Sequence, residues 1–323
     1  MADNWIGIDL GGTNIKAGIV ADGGAVLARR EVDTQADRGF EHVLARLVQL
    51  VSDLLADAGL DRAAVRAIGI GVPGPLSHHQ GIVFSAPNMP GWENAPVRDR
   101  LSSATGLPVS LENDANAACF GELVAGAGRQ MQDIVMLTLG TGVGSGIVLG
   151  GKLWRGSYDA AGEIGHTIVV PDGRPCPCGQ RGCLERYASA SAVGQRAVEA
   201  IAAGDDSTLA PLGGARGTAE AVTAEAVERA AAAGDALARR IWDETCYYLA
   251  LACVNIRQTF DPQQVVLAGG LINAGDALMT PVRRHFDALR WRITPNRMRI
   301  DFATLGGNAG LIGAAALAQS EFG

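Results

Sequence analysis

The sequence predicts an α/β fold of two lobes, each with its own core. A chain of 323 residues is long enough for two domains of ordinary size. Its 48% hydrophobic and 19% charged residues are typical of a globular α/β protein. A strand, a glycine-rich turn and a second strand occur at residues 5–21 and again at residues 133–149. This repetition indicates an internally duplicated fold, and we expect the two turns to face each other across a cleft.

Short apolar runs bounded by turn residues predict the strands of both halves. They cover Trp5–Leu10, Ile15–Ala21, Ala25–Val32, Val65–Val72, Leu107–Leu111, Asp133–Leu139, a strand ending at Leu149, and Gln264–Leu267. Apolar residues at i, i+3, i+4 and i+7 predict helices over Phe40–Leu55 and Ala238–Gln258. The tail beyond Gly310 is expected to form an apolar helix that packs on the first domain.

The first glycine turn follows the strand Trp5–Leu10 and carries polar groups suited to an anion. Gly11 and Gly12 let the backbone approach a phosphate closely, while Thr13 and Lys16 can donate to its oxygens. Asp9, at the end of the strand, can hold a magnesium ion through water. A hairpin turn uses the same residues, so an ordinary turn is the alternative. A Rossmann dinucleotide site is a poor fit, because the glycines are not Gly-x-Gly-x-x-Gly and a strand follows instead of a helix. The same spacing excludes a Walker loop.

Two later stretches have the same character. The turn Gly140-Thr141-Gly142-Val143-Gly144 repeats the strand, turn and strand organisation of the first one. A third place where backbone can lie against a flat or anionic ligand is Ala268-Gly269-Gly270, at the end of a strand. The first turn and Gly140–Gly144 together predict a phosphate clamp.

Polar side chains mark the junction of a strand and a helix at Glu112–Asn116. The pattern places Asn113 and Asp114 at this junction, where an N-cap role for Asp114 is the simplest alternative. Several amides and carboxylates between apolar segments each need a partner if they are buried, which favours a functional role. Asn88, in a loop with two prolines, can bond a hydroxyl or form a turn.

The stretch from Gly162 to Glu185 combines three thiols and a histidine within about twenty residues. His166, Cys176, Cys178 and Cys183 form a donor set suited to zinc, and the alternative is a reduced cluster without metal. Four such ligands give a closed tetrahedral site with no open position for activated water, so the zinc would be structural. The other cysteines, Cys119, Cys246 and Cys253, are expected to be buried apolar residues.

The net charge of −7 argues against nucleic acid or an anionic membrane as a partner. No apolar run reaches the length that crosses a bilayer, and the first strand begins too near Met1 for a signal peptide. A cytoplasmic location is therefore expected, where clustered thiols bind metal more often than they form disulfides.

These motifs, in this order, resemble the ROK family of repressors and sugar kinases, within the hexokinase, actin and Hsp70 superfamily. The resemblance covers nearly the whole chain. It rests on Asp9–Lys16, Glu112–Asn116, Gly140–Gly144, Gly162–His166 and the cysteine motif that ends at Glu185. It implies two lobes of the actin-like, ribonuclease H-like type, with a sugar in the cleft.

The resemblance also implies a role for each matching residue. Asp114 would be the general base that takes the proton of a sugar 6-hydroxyl. Sugar hydroxyls would be held by Asn113, Asp114, Glu163, His166 and Glu185, with Asn88 as a further contact. The phosphates of ATP would lie against Asp9, Gly11, Gly12, Thr13, Lys16, Gly140, Thr141, Gly142 and Gly144, and the adenosine against Gly269 and Gly270. Zinc would be bound by His166, Cys176, Cys178 and Cys183.

The leading hypothesis is thus an ATP- and Mg²⁺-dependent glucokinase with a structural zinc ion, and the resemblance implies a homodimer. Other acceptors (N-acetylglucosamine, N-acetylmannosamine or fructose) and polyphosphate as donor stay open, because the pocket around the sugar C2 substituent is not visible in a sequence. A sugar-sensing repressor is disfavoured, since only eight residues precede Asp9. The expected lobes are residues 1–119, completed by a helix at 308–323, and residues 120–307 with the zinc motif.

Overall fold

Two five-stranded sheets with the same strand order form the framework of the protein. A computed structural model describes residues 4–86, 89–213, 222–295 and 297–323. The strands are β1 (Asn4–Leu10), β2 (Asn14–Ala21), β3 (Ala25–Asp33), β4 (Val65–Val72), β5 (Leu76–Ser77), β6 (Ile82–Val83), β7 (Val109–Asn113), β8 (Ile134–Leu139), β9 (Val143–Leu149), β10 (Lys152–Leu153), β11 (Gln264–Ala268) and β12 (Arg299–Phe302). The first sheet has the order β3-β2-β1-β4-β7 and the second β10-β9-β8-β11-β12, which supports the predicted duplication.

The helices lie between β3 and β4, between β6 and β8, between β10 and β12, and after β12. They are α1 (Phe40–Ala58), α2 (Val97–Thr105), α3 (Asp114–Ala125), α4 (Glu185–Ala188), α5 (Ala190–Ala202), α6 (Ala210–Gly213), α7 (Ala224–Ala232), α8 (Ala236–Phe260), α9 (Asp276–Leu289) and α10 (Ala309–Phe322). Within the described ranges, no helix is long and apolar enough to cross a membrane.

The chain divides into two compact units. The first contains Met1–Ile134, Gly146–Gly162 and Ala303–Gly323, and the second contains Val135–Ser145 and Glu163–Phe302. The α/β fold class predicted from the sequence is confirmed. The predicted lobe boundaries, after residue 119 and before residue 308, stay a prediction.

The first sheet is covered on both faces, and its strands alternate between them. Ile6 and Ile8 of β1 belong to a core shared with α1 and α2, whereas Trp5 belongs to a core on the opposite face with Leu311 of α10. Gly7 faces α10 so closely that a Cβ there would lie 1.8 Å from the Leu311 carbonyl oxygen. The apolar tail helix therefore packs on the sheet of the first unit, as its composition predicted.

The strands and long helices named from the sequence lie close to their expected bounds. The described residues add α2, α4, α9, β5, β6, β10 and β12, which the sequence patterns did not indicate. In α9 a proline, Pro281, interrupts the helical pattern, and β10 and β12 are only two and four residues long. Cys119, Cys246 and Cys253 are buried thiols, as expected.

Candidate active site

The parallel strands of the first sheet bring carboxylates to one edge. β1 pairs in parallel with β4, and β4 with β7, so their carboxyl ends meet at the same edge. In this register Asp9 pairs with Gly71, and Gly71 pairs with Glu112. Asp114 follows β7 as the first residue of α3, and a Cβ on Gly71 would lie 3.4 Å from the Asp114 Cα, so the glycine lets the start of α3 lie close to the sheet. The edge therefore carries three acidic side chains from two strands and a helix start.

Asp9 lies in an environment that disfavours its charge. Burial, and then the negative charge of Asp114, raise the pKa of Asp9 from 3.8 to about 6, against the opposing effect of Lys16. Lys16 is the cross-strand partner of Asp9 in the β1 and β2 hairpin. A Cβ on Gly310 would lie 2.8 Å from Asp9 Oδ2, so the start of α10 also borders this carboxylate. A cation bound here would lower the cost of holding two ionised carboxylates together.

The first glycine turn is held by backbone and hydroxyl bonds. The Gly11 N–H donates to the Asn14 carbonyl at 2.9 Å, and the Thr34 hydroxyl donates to the Gly11 carbonyl at 2.7 Å. The Thr34 N–H donates to the Thr13 carbonyl at 2.7 Å. Thr34 is fully buried and was not among the residues selected from the sequence. These bonds occupy carbonyl oxygens of the turn, a geometry suited to an anion that needs N–H donors.

Asn113, not Asp114, is the N-cap of α3. The Asn113 Oδ1 accepts from the N–H groups of Ala115 at 2.9 Å and Asn116 at 3.2 Å. Its amide nitrogen is 3.4 Å from the Gly74 carbonyl oxygen and is the group that can donate to a ligand. Asp114 Oδ1 accepts the Ala115 N–H at 2.8 Å. Burial raises the pKa of Asp114 above its ordinary value, which suits a group that accepts a proton.

Glu112 accepts hydrogen bonds from several groups at the end of β7, although the sequence did not indicate it as a site residue. Its side chain is 3% exposed, and Oε1 accepts from the Asn113 N–H at 2.9 Å and the Asn116 amide at 3.0 Å. Its Oε2 accepts from Arg155 Nε at 2.5 Å. The buried charge is thus paired and hydrogen-bonded, and the Arg155 guanidinium lies next to the segment that carries Asp114.

The second glycine turn, in the second unit, has different supports. The Gly140 N–H donates to the Gly142 carbonyl at 3.0 Å, and the Val143 N–H donates to Glu185 Oε2 at 2.9 Å. Gly269 has φ of 85°, and a Cβ there would lie 2.5 Å from the Leu139 carbonyl oxygen, so the end of β11 lies against the end of β8. The turn is therefore placed next to both Gly269 and the start of α4.

The predicted zinc ligands come together in the second unit. A short hairpin in which the Cys176 N–H donates to the Gln180 carbonyl at 2.9 Å places the first two cysteines, and Cys183 pairs with Ile168. The four ligand atoms of His166, Cys176, Cys178 and Cys183 lie within 4.8 Å of one another.

Individual distances in this cluster fit a tetrahedral ion. The His166 Nδ1 is 3.7 Å from Cys176 Sγ, and Cys178 Sγ is 3.6 Å from Cys183 Sγ. Ligands about 2.0–2.3 Å from a tetrahedral zinc ion are separated by roughly 3.3–3.8 Å. Burial raises the pKa of Cys183 to about 12, so a bound cation would be needed to keep this thiol ionised.

The other residues predicted to contact the sugar differ in their exposure to solvent. Glu163 is exposed and directly precedes the short helix Ile164–His166, and Glu185 is partly buried at the start of α4. Asn88 lies outside the described residues. Within the first unit the structure brings Asp9, Lys16 and Asp114 together. Within the second it brings Glu185 to the Gly140–Gly144 turn and assembles the cysteine and histidine cluster.

Comparisons with known proteins agree with these motifs. Residues 5–321 match the ROK family. A glucokinase of Halalkalibacterium halodurans is 36% identical over 99% of this chain and 97% of its own length. An N-acetylmannosamine kinase of Escherichia coli O157:H7 is 34% identical over 98% of each chain.

A solved structure extends the likeness to the fold. It is a ROK family glucokinase from Streptomyces griseus in complex with glucose and AMPPNP. That protein is 35% identical, with a TM-score of 0.79 over 98% of this chain and 99% of its own. The match over residues 5–321 shows the family, and the two five-stranded sheets and the paired glycine turns agree with it. The chain belongs to the ROK family.

Proposed function

We propose that this chain is a glucokinase that transfers the γ-phosphate of ATP to the 6-hydroxyl of glucose. The observation that carries the proposal is the pair of partly buried carboxylates, Asp9 and Asp114, beside the first glycine turn. Full-length similarity to a glucokinase, and to a glucokinase structure with glucose and AMPPNP, supports the same choice of substrates.

Asp114 is assigned the role of general base. Its raised pKa and its position at a helix start suit a carboxylate that receives a proton during the reaction. The 6-oxygen of the sugar attacks the γ-phosphorus, the bond from this phosphorus to the β,γ-bridging oxygen breaks, and ADP leaves. The proton of the hydroxyl passes to Asp114. Asn113 holds the start of α3 through Oδ1 and donates to a sugar hydroxyl through its amide nitrogen.

The nucleotide is assigned to the glycine turns. The turns Gly11–Lys16 and Gly140–Gly144 would lie against the phosphates, with Thr13, Thr141 and Lys16 as side-chain donors. The N–H groups of Gly11, Gly140 and Val143 already donate within the protein, so other N–H groups of the two turns would face the phosphate oxygens. Asp9 would hold the magnesium ion of the nucleotide, which neutralises charge on the transferred phosphate. Gly269 and Gly270 would border the adenosine. The Cβ position of Gly270 is open and leaves room for a flat ring, whereas that of Gly269 is taken by the Leu139 backbone.

The binding of further sugar hydroxyls is assigned to Glu163, His166 and Glu185, with Asn88 as an additional contact. Zinc bound by His166 Nδ1 and the three thiols would leave His166 Nε2 free to face a hydroxyl and would fix the tautomer of the ring. The zinc is structural in this proposal, because four protein ligands leave no position for water.

A coupled phosphorylation assay tests the function. Purified protein is incubated with ATP or polyphosphate and a panel of hexoses, and the ADP or sugar phosphate formed is measured. We expect the highest kcat/KM with ATP and glucose. An absence of turnover with every sugar would overturn the kinase assignment and favour a sugar-binding regulator of the same family.

A second candidate, N-acetylmannosamine kinase, is favoured by one observation. The relative with that name is 34% identical over almost the full chain, close to the 36% of the glucokinase. The two sugars differ at C2, so the ratio of their kcat/KM values in the same panel separates the candidates. N-acetylglucosamine and fructose serve as further acceptors in that panel.

We also propose a homodimer and a cytoplasmic enzyme. The homodimer rests on the family resemblance alone, and light scattering on the purified chain over a range of concentrations tests it. A mass of one chain at every concentration would contradict it.

A further inference from the structure

The carboxylate of Glu185 lies directly against the second glycine turn. Its Oε2 accepts the Val143 N–H at 2.9 Å, and a Cβ on Gly142 would lie only 2.3 Å from the same oxygen. A Cβ on Gly165 would lie 2.0 Å from the Val143 carbonyl oxygen, so the backbone of the preceding segment is equally close. The segment with the predicted sugar and zinc residues is thus in contact with the turn.

Two further hydrogen bonds connect the same segment to the turn. The Ile164 N–H donates to Ser145 Oγ at 3.0 Å, just after the turn. The Ala190 N–H, at the start of α5, donates to the Gly140 carbonyl at 2.8 Å. The turn is therefore held at its beginning by Ala190, at its end by Ser145, and between them by Glu185.

Electrostatics alone does not explain a carboxylate at this position. A negative charge beside a turn that binds phosphate repels the ligand, and this repulsion increases where water is excluded. A sugar contact uses the same side chain but does not require a bond to Val143. The carboxylate does, however, satisfy a backbone donor of the turn, and a hydrogen bond to a charged acceptor is among the stronger ones.

We propose that Glu185 is a positioning residue for nucleotide binding, in addition to any contact with the sugar. Its bond to Val143 holds the Gly140–Gly144 turn in the shape that receives phosphate. This inference rests on the proposed function, because it takes that turn as part of the nucleotide site. A residue that only contacts the sugar would not affect nucleotide affinity measured without sugar.

Isothermal titration of the full chain with AMPPNP and Mg²⁺, in the absence of sugar, tests the proposal. We expect Glu185→Ala to raise the Kd about tenfold, the order of effect of losing a hydrogen bond to a charged group. Glu185→Gln keeps an acceptor for the Val143 N–H and removes the charge, so its Kd is expected within about threefold of the wild-type value. Ser145→Ala, which removes the acceptor for Ile164, is expected to weaken binding by a smaller factor.

The control variant is Glu225→Ala in the same unit, because Glu225 and its partner Arg229 are both exposed. Equal Kd values for wild type, Glu185→Ala and Ser145→Ala would overturn the positioning role. Tighter binding by both Glu185 variants would also overturn it, since the carboxylate would then act only as a repelling charge. A wild-type protein that binds no AMPPNP would instead contradict the proposed function. Should Glu185→Ala fail to fold, Glu185→Met, which keeps a side chain of similar length but has no acceptor for the Val143 N–H, provides the same comparison with Glu185→Gln.

Discussion

The two glycine turns occupy the same place in two sheets of the same strand order, but their surroundings differ. The first is flanked by its own charged residues, Asp9 and Lys16, which are cross-strand partners. The second contains no charged residue between Gly140 and Gly144 and receives a carboxylate from a distant part of the chain, Glu185. The duplicated framework therefore has its own charged residues beside the turn in one copy and a carboxylate from a distant segment in the other.

This difference indicates that the two units contribute differently to the proposed reaction. In the first unit, burial keeps carboxylates in unfavourable surroundings, a state that costs stability and suits proton transfer. In the second unit, the second glycine turn is held by hydrogen bonds, and one histidine and three cysteines form a cluster, an arrangement that suits binding. Variants in the first unit should therefore affect turnover and charge, and variants in the second should affect affinity and folding.

The largest effect is expected from Asp114→Asn. The amide keeps the shape and the acceptor for the Ala115 N–H but cannot take a proton, so kcat should fall by about 10²–10⁴. Glucose affinity, measured by titration, should change little. Glu225→Gln provides the control for a change from carboxylate to amide on an exposed helix. Turnover of Asp114→Asn close to that of wild type would show that another group accepts the proton.

Loss of a zinc ligand should act on folding in the second unit. Cys183→Ser removes a fully buried ligand, and the variant is expected to lose the metal and several kcal/mol of stability. Metal analysis of protein purified without chelator should find one zinc per chain in wild type and much less in the variant. Cys246→Ala, at a buried cysteine outside the cluster, is the control and should keep its zinc.

A wild-type protein without zinc, and with the same thermal unfolding before and after chelator, would contradict the metal assignment. The four residues would then be a reduced cluster held by packing alone.

The pair of Arg155 and Glu112 should link stability and turnover in the first unit. Arg155→Met leaves the Glu112 carboxylate buried without its partner, with an expected loss of about 2–4 kcal/mol in the free energy of unfolding. Because Glu112 also holds Asn113 and Asn116, kcat should fall about tenfold, more than KM rises.

The double variant Arg155→Met with Glu112→Gln tests this coupling. The amide removes the unpaired charge, so the double variant should be more stable than Arg155→Met alone. Additive losses in chemical denaturation would show that the two side chains act independently.

Local patterns were enough to predict local geometry: the two glycine turns, the strand and helix junction at Asn113 and Asp114, and the clustering of His166 with three cysteines. All of these lie in short segments, and the roles assigned to their residues stay predictions. The Asn113 cap was missed because neighbouring Asn and Asp are equally good N-caps, and only the backbone geometry distinguishes them.

The contacts that depend on long-range register were not predictable. Arg155 reaches Glu112 across 43 positions, Thr34 reaches Gly11 across 23, and Glu185 reaches Val143 across 42. Each partner is an ordinary residue in its own segment, and its role arises only when strands and loops are placed side by side. The proximity of Gly310 to Asp9 likewise depends on where the tail helix packs.

Asp9→Asn should change stability less than Cys183→Ser or Arg155→Met does, and it should stabilise the protein where those two variants destabilise it. The pKa of Asp9 is about 6 in the folded protein and 3.8 ordinarily, so the folded state binds the proton more tightly than the unfolded state. Stability therefore falls as the pH rises from about 4 to about 6, because the unfolded chain ionises first. At neutral pH the cost is about 1–3 kcal/mol, at roughly 1.4 kcal/mol for each pH unit between the two pKa values.

The amide has no charge to desolvate, so Asp9→Asn should unfold at higher denaturant concentration than wild type at pH 7. At pH 4 the difference should be smaller, since Asp9 is then protonated in the folded wild type. Turnover should fall in the same variant, because the group assigned to the magnesium ion is lost. Asp57→Asn, at an exposed carboxylate paired with Arg30, is the control. A stability difference that does not change between pH 4 and pH 7 would mean that Asp9 carries its charge at no cost, and the contrast between the two turns would then lie in geometry alone.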